Sequence, residues 1–317
     1  MPATTATAPG KIILFGEHSV VYRRPAIAAP VTQVSTRAVI QANPRGPAGE
    51  VYIQAPNIDL DAHLADLPAK HPLVVAILGV VTALQVSRLP AMNIRITSTI
   101  PVSAGLGSGA AVSVAVIRAL GAFLGHPLPD EKVSNLAYEV EKLHHGTPSG
   151  IDNAVISFAK PVYFRRVDQD NTTIETFQAA DPLPFVIADT GIPSPTAEAV
   201  SLVRRGWQAD QELYENIFDA VETIVLAARQ AIEGGTQEAL GMLMDENQEL
   251  LVKMGVSSPE LDILVQSARE AGALGAKLSG GGRGGNMIAL VTPETASLVT
   301  AALKRSGASH TILTHVK

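Results

Sequence analysis

The chain has no cysteine among its 317 residues, few aromatic residues and no long basic run. Without cysteine it can form no disulfide, no thiolate metal site and no cysteine nucleophile, which agrees with a reducing compartment. Aromatic residues make up 4% of the sequence, which leaves few stacking platforms for single-stranded nucleic acid. The formal charge of −6 also disfavours a phosphate-backbone partner, so we expect no nucleic acid to bind.

The sequence also predicts neither a signal peptide nor a membrane-spanning run. Residues 1–9 contain neither a basic n-region nor an apolar h-region, so no signal peptide is predicted. The longest apolar stretch, residues 73–86, is too short to span a bilayer and is typical of a buried helix. We therefore expect a soluble, cytoplasmic protein without a membrane partner.

A glycine-rich segment, residues 101–111, is the most informative stretch that the chain does contain. Residues 92–100 predict a strand before it, and residues 111–120 predict a helix after it. A small-residue loop that opens a helix directs unpaired N–H groups and the positive end of the helix dipole at one point, which suits a phosphate. A plain strand–turn–helix connection, in which the glycines only relieve crowding, is the alternative.

The order of predicted elements indicates an α+β protein with two halves. Several short strands precede any helix, which argues against a dinucleotide-binding βαβ start; they are residues 10–16, 26–29, 36–41 and 50–54. Further on, residues 162–165 and 173–177 resemble a hairpin. We predict domains over residues 1–183 and 184–317, joined by a linker at residues 181–184 because two prolines there resist regular structure.

A second glycine cluster occupies residues 279–285, between two predicted strands. Five glycines in seven residues are costly in backbone entropy, which favours a loop that needs a close backbone approach over a flexible tip. Neither glycine segment is a Walker A sequence, and residues 105–110 match the relaxed dinucleotide fingerprint only weakly. The cluster is therefore a candidate wall for a phosphate site.

Three charged residues could carry phosphoryl transfer, which needs a metal ligand, a base and nearby positive charge. Asp152 could act as a general base, and Glu141 could hold Mg²⁺ through a carboxylate oxygen. Lys11 could pair with Asp152 or with the acceptor oxygen. The alternatives are a helix N-cap for Asp152, a solvated helix residue for Glu141 and a surface charge for Lys11. Each alternative stays open for a residue taken by itself.

The histidines do not indicate a zinc enzyme. His18, His144 and His145 lack the spacing of a zinc-binding helix, and there is no His-Glu-x-x-His run. A polar loop or core histidine is the expected role for each of them from spacing alone.

Taken together, residues 9–22, 101–111 and 277–285 resemble an ordered set of three motifs. They are similar to those of the small-molecule kinase superfamily of galactokinase, homoserine kinase, mevalonate kinase and phosphomevalonate kinase. Residues 14–22 and 145–153 most resemble the mevalonate kinase branch. The resemblance implies an N-terminal domain like ribosomal protein S5 domain 2, which binds ATP, and a ferredoxin-like C-terminal domain that completes the active-site cleft.

The resemblance also implies an activity, namely ATP-dependent phosphorylation of the C5 hydroxyl of mevalonate to 5-phosphomevalonate in isoprenoid synthesis. Asp152 becomes the base, Lys11 balances charge at the hydroxyl, and Glu141 with Ser108 becomes the Mg²⁺ site. The implied triphosphate contacts are Pro101, Ser103, Ala104, Gly105, Leu106, Gly107, Ser108, Gly109 and Ala110. The implied substrate contacts are Glu17, His18, Thr190, Gly281 and Gly282.

Two residues depart from the superfamily pattern. Gly109 occupies a position where the superfamily usually has a second serine, and that serine is expected to help hold Mg²⁺. Arg283 replaces a more usual small residue in the third motif. A sister kinase acting on phosphomevalonate or another small hydroxylated substrate remains an alternative. A non-catalytic sensor predicts loss of the charged set, which this sequence retains; a homodimer is compatible with the resemblance.

Overall fold

A computed structural model of the chain describes residues 3–101, 105–145, 148–166, 171–194 and 196–317, without the side chains of residues 144 and 145. Within this part, the strands are β1 Thr4–Phe15, β2 Ala26–Ala42, β3 Val51–Ala55, β4 Leu60–His63, β5 Met92–Ser98, β6 Val162–Arg166, β7 Thr172–Thr176, β8 Leu183–Asp189, β9 Gly275–Ser279, β10 Asn286–Leu290 and β11 His310–Val316. The α-helices are α1 Pro72–Ala83, α2 Ser108–Phe123, α3 Asp130–His145, α4 Ile151–Phe158, α5 Thr196–Ala209, α6 Gln211–Gly234, α7 Gln237–Lys253, α8 Pro259–Glu270 and α9 Ala296–Arg305. Short 3₁₀ turns lie at Ser19–Tyr22, Pro56–Ile58 and Leu64–Asp66.

The chain packs into two compact units. The first contains the described parts of residues 1–10, 34–101 and 107–159, and the second contains those of residues 11–33, 102–106 and 160–317. This partition differs from a single boundary near residue 183 because the long strands β1 and β2 each contribute residues to both units. The division into domains 1–183 and 184–317 stays a prediction.

The first unit is a sheet with four helices. Its strand order is β4-β3-β5-β2; β3 runs parallel to β5, and the other neighbours are antiparallel. β5 alternates buried Met92, Ile94 and Ile96 with exposed polar residues, so one face of the strand meets the core. α2 is buried almost all round because α1, α3 and α4 pack against it. Its first turn is thereby fixed in place.

The second unit contains two groups of strands. The first residues of β2 pair with β6, and β6 pairs with β7 as the predicted hairpin. A four-stranded antiparallel sheet has the order β11-β8-β10-β9, with α7 and α8 against β9 and α9 against β8. Antiparallel pairing with helices agrees with the expected ferredoxin-like half. The second glycine cluster connects β9 to β10.

Two sequence predictions were wrong in detail, and proline explains both. Residues 181–184 do not form a separate linker, because β8 begins at Leu183 and includes Pro184. The register with β10 starts only at Phe185, so the missing N–H of Pro184 breaks no bond to that strand. The predicted strands 26–29 and 36–41 are one strand, in which Pro30 lies between the residues paired with β6 and those paired with β5.

The apolar run of residues 73–86 forms α1, which ends at Ala83. Five of its residues are buried, and so it is the core helix that was predicted. Among the described residues, none of the helices combines the length and the apolar character needed to cross a membrane.

Candidate active site

The first glycine segment ends in the N-terminus of α2. Gly107 is the N-cap residue with φ +73°, and Gly105 has φ +70°, so both adopt the left-handed conformation that favours glycine. The first turn of α2 carries no acidic side chain, so the positive end of its dipole is not neutralised there. Ser108 is half-buried and begins the helix. This local structure suits an anion.

Five of the predicted triphosphate contacts are buried, partly buried or outside the described residues. Pro101 is half-buried, and Leu106 and Ala110 are buried in the core. Ser103 and Ala104 lie outside the described residues. The exposed backbone that could meet a ligand therefore centres on Gly105 and the first turn of α2.

Glu141 lies beside that first turn, within the same unit. Its side chain, on α3, is only 7% exposed, which excludes the alternative of a solvated surface residue. A Cβ built at Gly109 would lie 3.7 Å from Glu141 Oε1, so the carboxylate faces the start of α2. No set of three His, Asp or Glu side chains suited to a metal occurs in the described part of the chain. One carboxylate beside a turn that suits a phosphate fits Mg²⁺, which takes its other ligands from phosphates and water.

Asp152 occupies the first turn of α4. The N-cap of this helix is Gly150, with φ +92°, so the alternative role of Asp152 as an N-cap is excluded. The neighbouring Asn153 is buried, and its Nδ2 donates to Ser134 O at 3.1 Å and to Ser134 Oγ at 2.9 Å. These bonds fix α4 to α3, which keeps the half-buried carboxylate of Asp152 on a rigid element.

Lys11 belongs to the second unit and lies in β1. Lys11 is only 5% exposed to solvent, so the alternative of a surface charge is excluded. Its backbone N–H donates to Leu106 O at 3.0 Å, which ties the first motif to the glycine segment before α2. The sequence separation of these two residues gives no sign of this contact.

A tight turn after β1 carries Glu17 and His18, both buried. Lys277 on β9 forms an ion pair with Glu17 Oε1, and both side chains are fully inaccessible to solvent. Burial raises the pKa of the Glu17 carboxyl and lowers that of the Lys277 ammonium, while their mutual attraction opposes both shifts. Glu17 is therefore placed against protein rather than solvent in this structure.

His18 has φ +62°, and its Nε2 lies 3.0 Å from Gly281 O. Because a carbonyl oxygen can only accept, Nε2 carries the proton and the neutral ring keeps Nδ1 as an acceptor. Burial lowers the pKa of His18 to about 4, and the positive charge of Lys277 acts in the same direction. The ring is thus neutral at physiological pH.

The second glycine cluster is packed rather than a flexible tip. Thr190 Oγ1 donates to Gly285 O at 3.0 Å, and Ser194 Oγ donates to Gly282 O at 2.6 Å. The backbone N–H of Arg283 donates to Val256 O at 2.7 Å. Thr190, a predicted substrate contact, therefore uses its hydroxyl proton within this loop.

Sequence reasoning missed Lys277 and Ser279. Both lie in β9, whose five residues are all buried, and Ser279 Oγ both donates to Ile13 O and accepts from Ile13 N–H. A lysine inside an apolar strand was the available signal, because a buried ammonium requires a partner. The side chains of His144 and His145 lie outside the described residues.

Comparison with known sequences defines the class. Residues 73–160 match the family described as GHMP kinases N terminal domain, and residues 228–309 match GHMP kinases C terminal. The chain belongs to the GHMP kinase family, and its fold is the two-domain α+β fold of that family.

Within the family, the similar proteins include several mevalonate kinases. One from Thermococcus sibiricus is 37% identical, and the match covers 95% of this chain and 93% of the relative. One from Aeropyrum pernix is 35% identical, with 91% and 88% covered. The solved structure of L. major mevalonate kinase in complex with R-mevalonate has a TM-score of 0.85 at 31% identity, with 99% of this chain and 95% of that chain covered. The predicted resemblance is thereby confirmed.

Proposed function

We propose that the protein transfers the γ-phosphoryl group of ATP to the C5 hydroxyl of mevalonate, which gives 5-phosphomevalonate and ADP. The observation that carries the proposal is the similarity to mevalonate kinases over nearly the whole chain, with the charged set of the motifs retained. The geometry supports it, because Lys11 and Glu141 are buried and Asp152 is held on a fixed helix, unlike ordinary surface charges.

In the proposed reaction, Asp152 accepts the proton of the substrate hydroxyl. The hydroxyl oxygen forms a bond to the γ-phosphorus, and the bond from that phosphorus to the β–γ bridging oxygen breaks, so that ADP leaves. Lys11 favours the developing alkoxide by its positive charge. The start of α2 and the glycines before it bind the triphosphate through backbone N–H groups.

Mg²⁺ would supply charge neutralisation at the phosphates, with Glu141 and Ser108 as the residues that hold it. On the acceptor side, His18 is proposed to accept a hydrogen bond through Nδ1. By the resemblance to the family, Glu17, Thr190, Gly281 and Gly282 complete the proposed substrate side. The proposal includes a cytoplasmic location and is compatible with a homodimer; cell fractionation and light scattering test these two points.

A sister kinase is the second candidate, and its distinguishing feature would be extra cations for a phosphorylated substrate. Between Lys11 and Arg23 the first motif contains no further lysine or arginine. Arg283 in the third motif is exposed and is the observation in favour of this candidate. The substrate test below decides between them.

The deciding experiment measures ADP release with mevalonate, phosphomevalonate, homoserine and galactose in parallel. We expect the highest kcat/KM with mevalonate. Equal or greater activity with any of the other three substrates would contradict the assignment. The same assay without added Mg²⁺, in the presence of a chelator, should show almost no turnover.

Asp152→Asn tests the mechanism. Loss of the base should lower kcat by about 10³-fold while the affinity for ATP stays nearly unchanged. Glu131→Gln is the matched control, because Glu131 is also an acidic residue in a first helical turn of the same unit but lies exposed on α3. If Asp152→Asn and the control have similar kcat, Asp152 is structural and the proposed base is wrong.

A further inference from the structure

The contacts between the first and third motifs come from β9 and from the loop that follows it. Lys277 contacts Glu17, Ser279 contacts Ile13, and Gly281 accepts from the ring of His18. Lys277 and Ser279 are two residues apart in β9 and so lie on the same face of that strand. Gly281 lies in the loop that follows, after Gly280 at φ +96°. One face of β9 and the start of the loop after it therefore hold the turn that carries His18.

A contribution to the stability of the fold does not explain why Glu17 and Lys277 form a buried ion pair. Both side chains are fully buried, and Glu17 Oε2 has no hydrogen-bond partner among the described residues. Lys277 Nζ has one further acceptor, Leu278 O at 2.7 Å. A buried ion pair with an unsatisfied oxygen is commonly no more stabilising than apolar side chains of similar volume.

The position of the pair points to a different role. Glu17 directly precedes His18, whose strained backbone, at φ +62° and ψ −48°, would not be maintained without constraints on both sides. On one side, Lys277 anchors the side chain of Glu17. On the other side, the carbonyl of Gly281 anchors the ring of His18. The buried cation also opposes a second positive charge at the adjacent ring.

We propose that Glu17 and Lys277 are positioning residues, which hold His18 in its neutral Nε2–H form so that Nδ1 can accept a hydrogen bond from the hydroxylated substrate. This inference rests on the proposed function for the identity of the substrate. It assigns to Glu17 an indirect role in place of a substrate contact. It assigns a role to Lys277, which the motif comparison left without one.

The test replaces the pair by apolar side chains in the double variant Glu17→Leu/Lys277→Met. The expected result is a thermal midpoint close to that of the original protein, because the volume is kept and two buried charges are removed. The kcat/KM for mevalonate should fall by about tenfold or more, with the KM for ATP changed by less than about twofold. The ¹⁵N spectrum of His18 should lose the signature of a single Nε2–H tautomer.

A matched control exists at the outer edge of the same strand. Asp245 Oδ1 accepts from the N–H of Ala276, and Arg269 donates to the Ala276 carbonyl while pairing with Asp245. The double variant Asp245→Leu/Arg269→Met removes an ion pair from β9 without touching the first motif. It should lower the thermal midpoint and leave kcat/KM for mevalonate and the His18 spectrum unchanged.

Glu17→Gln gives a second measurement if the apolar double variant fails to fold. Its amide keeps the shape and removes the charge, and we expect a smaller fall in kcat/KM for mevalonate with the KM for ATP unchanged. The proposal is overturned if the folded variant keeps both the original kcat/KM and the original His18 spectrum, or if ATP and mevalonate parameters fall equally. If the original protein does not phosphorylate mevalonate, the proposed function fails, whereas the His18 spectra still decide the positioning role.

Discussion

The two glycine-rich segments have similar composition but use glycine for different physical reasons. Around the start of α2, a Cβ at Gly105 or Gly109 would make only ordinary contacts at 3.7 Å. Between β9 and β10, a Cβ at Gly282 would overlap the carbonyl oxygen of Val256, and one at Gly284 would lie 2.7 Å from Ile192 O. The first segment leaves space beside its backbone, and the second fills that space with other backbone.

This difference separates a ligand-facing loop from a structural one. Open space next to N–H groups at a helix start is what a phosphate requires. Backbone packed against backbone instead fixes the shape of the loop, which in turn holds Gly281 O at the ring of His18. The glycine cluster of the third motif therefore rigidly supports the ring of His18, which is proposed to bind the substrate hydroxyl.

The largest expected effect comes from Gly282→Ala. The new methyl group would overlap the Val256 carbonyl, and the backbone at this position has φ +76°. Overpacking and left-handed strain together should lower the free energy of unfolding by about 4 kcal/mol. Urea denaturation followed by circular dichroism measures it.

Gly280→Ala is the control within the same cluster. Gly280 also has a positive φ, +96°, but a Cβ there would meet nothing within 4 Å. Strain alone should cost about 1 kcal/mol. Equal losses for the two variants would show that the close approach at Gly282 is not what requires glycine.

Acidification should lower the free energy of unfolding through His18, whose ring contacts the second glycine cluster. Its pKa is lowered by burial to about 4 from an ordinary value of 6.5, so the unfolded chain binds the proton more readily. The contribution of the neutral ring is therefore complete above pH 6.5 and is lost as the pH falls toward 4. By linkage, the neutral ring contributes about 3 kcal/mol to the free energy of unfolding.

The measurement is the free energy of unfolding against pH for the original protein and for His18→Gln. The glutamine amide can still donate to Gly281 O but does not titrate. The difference between the two curves isolates His18 from Glu17 and Lys277, which titrate in both proteins. Parallel curves between pH 4 and 6.5 would contradict the assigned pKa shift.

Sequence patterns predicted those features that depend on local chemistry. The helix after the first glycine segment, which begins at Ser108 rather than at the predicted residue 111, and the β6–β7 hairpin follow from periodicity and turn residues. The motif resemblance supplied the family. These features need no knowledge of which distant segments pack together.

Features set by long-range packing could not be predicted in this way. The pairing of Lys277 with Glu17 joins residues that are 260 positions apart. Similarly, Pro184 falls in β8 rather than in a linker, because it pairs with His315 of β11 near the other end of the sequence. The reason for glycine at position 282 depends on Val256, which no local pattern indicates.

Gly109→Ser tests the first glycine segment, which leaves open space beside its backbone, and should have a small effect on the free energy of unfolding. The position lies in the first turn of α2, where serine is favoured over glycine by about 0.5 kcal/mol. The new hydroxyl would lie near Glu141 Oε1, so the Mg²⁺ concentration for half-maximal activity should fall by about two- to threefold. Gly109→Ala provides the same backbone without the hydroxyl. If both variants change the Mg²⁺ response equally, the hydroxyl is not a metal ligand.

Arg283→Gly should have the smallest effect. Arg283 has φ +59° within the packed cluster, and its backbone N–H bond to Val256 O holds it there. Glycine removes the left-handed strain but adds entropy to the unfolded chain, so the free energy of unfolding should rise by only about 0.3 kcal/mol. The exposed side chain adds no packing, and the KM for ATP should stay within about twofold. A fall in stability, or a larger rise in this KM, would show that the arginine side chain itself makes a contact and that the packed segment also meets a ligand.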